Sequence, residues 1–128
     1  MDKLNDIHID IANVLIDCAS KQQTISYSCL CEKVGFSNPR QMGAVLDPLT
    51  KLTYDAYGIF ISVLVVLSES INDELPMPSD GFFAMYNEKM PKNILSKEEI
   101  VKAQRGQAFN QDWGKLPELI REKIREQN

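Results

Sequence analysis

Few residues in this chain have the chemistry for catalysis, and they are scattered. His8 is the single histidine, and acid–base work would require a nucleophile or carboxylate brought to it from elsewhere in the chain. Between Ile7 and Ile9 it reads as a packing residue at the surface or boundary of a helix. Cys18, Cys29 and Cys31 are an odd set without paired spacing. Structural zinc wants four ligands, usually in pairs two to four residues apart, so no metal is expected and the thiols read as free. Ser62 stands alone in an apolar run with no base in view, which points to core rather than nucleophile. No phosphate-cradling glycine loop is present, and neither an enzyme nor a cofactor is expected.

Two other groups could bind rather than react. Tyr27, Arg40, Gln41 and Lys51 all carry donors suited to phosphates or base edges, and equally suited to a solvated surface. Phe82 and Phe83, with Tyr86 nearby, are either an exposed protein-binding patch or a plug for the core. Trp113, between Asp112 and Gly114, either anchors a tail or forms a binding hot spot.

The elements that must position these residues follow from periodicity. Leu4, Ile7, Ile11, Val14, Leu15 and Cys18 share one helical face, opposite Asp6, Asp10, Asn13 and Asp17, which predicts a helix over 2–20 with Asp2 and Asp6 at its positive end. Ser26 or Ser28 caps a short helix over 29–34 that stops at Gly35. Pro39 opens a third helix carrying Met42, Val45, Leu46, Leu49, Leu52 and Ala56 on one stripe and ending at Gly58. Pro48 within it predicts a kink, or a restart after Asp47. The run Phe60–Leu67 has the composition of a buried strand. A Pro/Gly-rich loop over 74–81 leads into a short aromatic helix ending near Glu88. Ser96 and Glu99 form a capping box for a helix to Phe109. The last helix starts near Pro117, with Leu116, Leu119, Ile120 and Ile124 as a thin stripe among ion-paired charges and an end expected to fray.

These elements make an α+β, predominantly helical chain forming a single domain over 1–128. Its parts are an N-terminal helix (1–22), a helix-turn-helix-like module with a strand (24–67), a Pro/Gly loop with an aromatic helix (68–95) and a helical tail (96–128). At 128 residues, 44% hydrophobic and 25% charged, the chain can bury a core without disulfides. Its longest apolar run is too short to span a membrane, and the N-terminus lacks a secretory pattern, so a reducing cytoplasm is the expected compartment. The net charge of −4 opposes non-specific attraction to nucleic acid. That charge is uneven: residues 1–20 hold four aspartates against Lys3, whereas 96–128 hold seven basic and six acidic side chains.

The segment running from Thr24-Ile-Ser-Tyr-Ser-Cys-Leu through Val34-Gly and Asn38-Pro to Met42-Gly-Ala-Val-Leu46 resembles the DNA-binding part of alkyltransferase and alkyltransferase-like proteins. The resemblance implies a winged-helix-like module whose recognition helix enters the minor groove of duplex DNA. It also implies that Tyr27 meets a phosphate, that Arg40 is the nearest candidate for an arginine inserted into the duplex, and that Gly43 is the small residue permitting close approach. The family's Pro-Cys-His-Arg-Val-Val stretch is replaced here by Ile61-Ser-Val-Leu-Val-Val66, with Ser62 where the reactive cysteine would stand. Alkyl transfer is thereby excluded. The wider pattern, from Leu64-Val-Val through Gly81-Phe-Phe to Asp112-Trp113, is similar to small bacterial and prophage proteins in which the module carries a helical tail.

Two functions are therefore expected. One is a non-catalytic DNA-binding or regulatory protein that uses Tyr27, Arg40, Gln41, Gly43 and Lys51. The alternative is an acidic inhibitor or immunity factor of a prophage or bacterial conflict system, which would meet a basic protein partner through Phe82, Phe83 and Trp113.

Overall fold

The computed structural model describes residues 3–128; Met1 and Asp2, including the expected dipole role of Asp2, lie outside the described residues. The described residues are predominantly helical, with one small parallel sheet among them. Its elements are α1 (Asp6–Ser20), β1 (Ile25–Ser26), α2 (Tyr27–Val34), α3 (Met42–Tyr57), β2 (Val65–Val66), α4 (Asp80–Lys89), α5 (Lys97–Asn110) and α6 (Leu116–Gln127). Short 3₁₀ turns occupy Pro39–Gln41, Ile61–Leu64 and Ser68–Ser70.

Helix α1 begins at Asp6, several residues later than periodicity alone implies, because Asn5 and His8 form a reciprocal cap. The Asn5 side chain accepts from the Ile7 N–H (3.1 Å), and His8 Nδ1 accepts from the Asn5 N–H (3.0 Å). His8 is also buried, at 3% exposure, rather than at the surface. Ser26 caps α2 through the Cys29 N–H, and Gly35 ends it at φ +72°, a left-handed conformation that costs any other residue energy.

Pro48 does not divide the third helix: α3 runs unbroken from Met42 to Tyr57. The carbonyl that Pro48 cannot serve belongs to Ala44, which is exposed, so solvent can take the place of the missing N–H. Gly58 closes α3 at φ +73°, with its N–H on the Tyr54 carbonyl.

The largest departure from expectation is the run Phe60–Leu67. Residues 60–66 are buried, yet only Val65 and Val66 form a strand; they pair in parallel with Ile25 and Ser26, while Ile61–Leu64 forms a 3₁₀ turn. Side chains take the place of a neighbouring strand. The Phe60 N–H donates to Gln104 Oε1 (2.8 Å), the Ile61 N–H to Thr53 Oγ1 (3.3 Å), and Arg105 Nη2 donates to the Val63 carbonyl (2.7 Å). With these partners the backbone needs no sheet to be buried without penalty. α1, α3 and α5 all pack against this turn, whose Ile61, Val63 and Leu64 share one buried core with Ile11, Leu15, Leu46, Leu49 and Phe60.

The loop after β2 is organised by buried Ser70, whose hydroxyl accepts from the Met77 N–H (3.0 Å) and donates to the Leu67 carbonyl (2.8 Å). α5 carries the expected capping box, with Glu99 Oε1 accepting from the Ser96 N–H and Ser96 Oγ from the Glu99 N–H. In α6 the expected stripe is present, with Leu116 and Ile120 buried and Glu118 paired to Arg121 and Arg125. Its far end is tied rather than loose: the Gln127 amide accepts from the Leu4 N–H (2.9 Å) and donates to the Leu4 carbonyl (2.7 Å).

Candidate nucleic-acid interface

The helix-turn-helix-like unit is α2, the turn after Gly35 and α3. Asn38 organises the turn by accepting from the Arg40 N–H (3.2 Å), which places Arg40 in the 3₁₀ turn leading into α3. Here a cleft of about 350 Å³ opens between Tyr27, Pro39, Arg40 and Gly43 on one side and Leu67, Ser68, Glu69 and Ser79 on the other. A second cavity of about 190 Å³ shares Tyr27, Gly43 and Ser79 with it and reaches inward to Asp47, Ser62, Phe82 and Met85.

Each polar group expected at this surface has a definite place. The Arg40 side chain is exposed and forms no hydrogen bond or ion pair among the described residues. A Cβ added at Gly43 would meet nothing within 4 Å, so internal packing does not demand glycine there. Tyr27 departs from its expected role. Its hydroxyl donates to Ser79 Oγ (3.0 Å) and accepts from the Ser79 N–H (3.2 Å), so its one proton is already committed within the fold.

Gln41 is exposed but lines a separate cleft of about 420 Å³, with His8, Phe36, Val45 and Pro48. Lys51 is half-buried and lines a third, beside Asp55, Lys123 and Glu126. The five residues therefore divide into a group of three, Tyr27, Arg40 and Gly43, and two that lie elsewhere. The charges facing the first cleft are mixed, because Glu69 shares it with Arg40 and Asp47 lines the connected cavity.

The aromatic residues considered for protein binding are in the core. Phe82 and Phe83 are each 6% exposed and pack edge to face, and Lys97 sits over the Phe83 ring at 5.1 Å. Trp113 is 3% exposed, donates from Nε1 to the Ala108 carbonyl (2.8 Å) and meets the Tyr57 ring edge-on. It anchors the junction of α5 and α6.

Residues that sequence reasoning overlooked hold this cleft in shape. Arg105 is 7% exposed and donates to the carbonyls of Val63 (2.7 Å) and Pro76 (2.8 Å), while its Nε is buried without a partner. Burial pulls its pKa down to about 10, so it remains a cation at neutral pH. It joins the central 3₁₀ turn to the loop that carries Ser79. The signal was present, since Gln104 and Arg105 fall on the same face of α5 as Ile100, Val101 and Ala108.

His8, which the sequence places at a surface or boundary, is buried and plays a second structural part. Its Nε2 lies 2.7 Å from the Val45 carbonyl, which can only accept, so the proton is on Nε2 and Nδ1 is free to receive the Asn5 N–H. Burial pushes its pKa below the usual histidine value. Burial likewise raises the thiol pKa values of Cys18 and Cys31. Among the described residues no three His, Cys, Asp or Glu side chains converge as a metal site would require, and no helix is long and apolar enough to cross a membrane.

No protein family, curated protein or solved structure matches this chain. Its site has to be interpreted from its own geometry.

Proposed function

We propose that this chain is a non-catalytic DNA-binding or regulatory protein that engages duplex DNA through the 3₁₀ turn and first residues of α3. The observation that carries this reading is Arg40: exposed, without an intramolecular partner among the described residues, and beside the open position at Gly43. An arginine so placed can meet phosphates or a groove edge without first breaking a contact. The winged-helix-like form belongs to this proposal. The one strand pair among the described residues is parallel, so the groove-contacting parts are the helices and the turn rather than an antiparallel hairpin.

Titration of a short labelled duplex with the purified chain at low salt tests the reading. Binding should weaken on the order of tenfold in Arg40→Ala and fall steeply as salt rises. No association at low salt, or an Arg40→Ala variant that binds as tightly as the parent, ends it.

A second reading rests on a different surface. Asp6, Asp10 and Asp17 are exposed along one face of α1, Asp17 paired with Lys21 (3.1 Å) and the other two without a charged partner among the described residues. Such a face suits a basic protein partner, as an inhibitor or immunity factor would require. If a basic partner isolated from the chain's own cells binds a D6N/D10N/D17N variant undiminished, this face is not its docking surface.

A further inference from the structure

The segment between α4 and α5 holds apolar side chains out in solvent, and does so in a fixed conformation. The Asn93 side chain makes two bonds to Leu95, its amide N–H donating to the Leu95 carbonyl (3.2 Å) and its carbonyl accepting from the Leu95 N–H (3.0 Å). The closed turn leaves Ile94 94% exposed and Leu95 40% exposed. Ile94 and Leu95 line, with Tyr86, Met90 and Pro91, a shallow, open apolar depression of about 450 Å³. A protruding side chain thus belongs to the same apolar patch as the depression beside it.

That juxtaposition favours a particular occupant. In a two-fold contact the same patch serves both partners, so each copy must offer a knob and a hole together. The charges around the patch are also self-complementary. Lys89 and Lys92 line the cleft, while Glu88 and Glu98 are exposed on the flanking helices, so a rotated copy can set its lysines against glutamates. Lys97 and Glu99 take no part, being engaged with Asp80 and the Ser96 cap respectively. We propose that this patch is a self-association surface, in which Ile94 of each copy enters the cleft beside Ile94 of the other.

Light scattering and sedimentation of the full chain over a range of concentrations test this pairing. The mass should climb from 14.5 kDa toward twice that value as concentration reaches the order of 100 µM. Ile94→Asp should weaken association at least ~10-fold, with an unchanged circular dichroism spectrum because the side chain packs on little. Lys92→Glu should weaken it too, and mixing that variant with Glu98→Lys should restore a mixed dimer. Ile71→Asp, at an exposed apolar residue outside the patch, should have no effect. A mass fixed at 14.5 kDa throughout, or association unaltered by Ile94→Asp, overturns the proposal. Failure of the charge-swapped pair to associate overturns its two-fold register.

Discussion

Arg40 and Arg105 carry the same side chain into opposite surroundings. Arg105 is buried, faces two backbone carbonyls and binds the central 3₁₀ turn to the loop behind it. The Arg40 side chain is exposed and forms no hydrogen bond or ion pair among the described residues. The guanidinium at 105 replaces hydrogen bonds that a neighbouring strand would have supplied. The one at 40 is spared such duties. A cation that the fold does not use is the one available to a partner, and this contrast separates the structural region around residues 60–66 from the candidate interface.

The comparison is most directly broken at Arg105. Arg105→Ala leaves the buried Val63 carbonyl and the partly buried Pro76 carbonyl without their donor and opens space in the core, so it should cost about 3 kcal/mol of stability by denaturant unfolding. A loss under about 1 kcal/mol would mean that the carbonyls find other partners and that the contrast with Arg40 is false. Thr53→Val tests the same turn from the α3 side: it removes the acceptor of the Ile61 N–H and should cost about 1–2 kcal/mol.

His8 supplies a pH-dependent version of the test. Its folded pKa lies below the unfolded value of 6.5, so the folded chain binds fewer protons than the unfolded chain in that window. Its contribution is complete above pH 6.5 and is lost as pH falls through 6.5 toward the folded pKa. Denaturant midpoints of the parent should therefore decline on acidification more steeply than those of His8→Gln. Parallel curves would show that protonation leaves the Asn5 cap and the Val45 contact undisturbed. The smallest effect on stability belongs to Arg40→Ala, within about 0.5 kcal/mol of the parent, as expected for an exposed side chain without partners. A larger loss would place Arg40 among the residues that build the fold.

What the sequence disclosed divides along the same line. Ser26 and Gly35 bracket α2, Ser96 and Glu99 open α5, and Pro117 stands at the start of α6, all from local chemistry that acts within a few residues. The conformation of residues 60–66 was misread because a short apolar run reports burial and leaves open how its backbone is satisfied. Its partners Thr53, Gln104 and Arg105 come from two different helices. His8 was misplaced for a related reason, since the Val45 carbonyl that holds it lies 37 positions away. At the interface, Arg40 was singled out through the resemblance of its segment, whereas the capture of Tyr27 by Ser79 spans 52 positions and left no local trace.

The dependence of the central turn on α5 also limits what can be cut out of this chain. The Phe60 N–H finds its acceptor 44 positions later, and the Val63 carbonyl its donor 42 positions later. A fragment ending near residue 67 would contain both helices of the candidate DNA-binding unit and Thr53, but neither Gln104 nor Arg105, which satisfy the Phe60 N–H and the Val63 carbonyl. The unit is therefore not a portable cassette. Grafted onto another scaffold it would need a surrogate for Gln104 and Arg105, and deletions from the tail should dismantle the cleft at Arg40 without touching any residue that lines it.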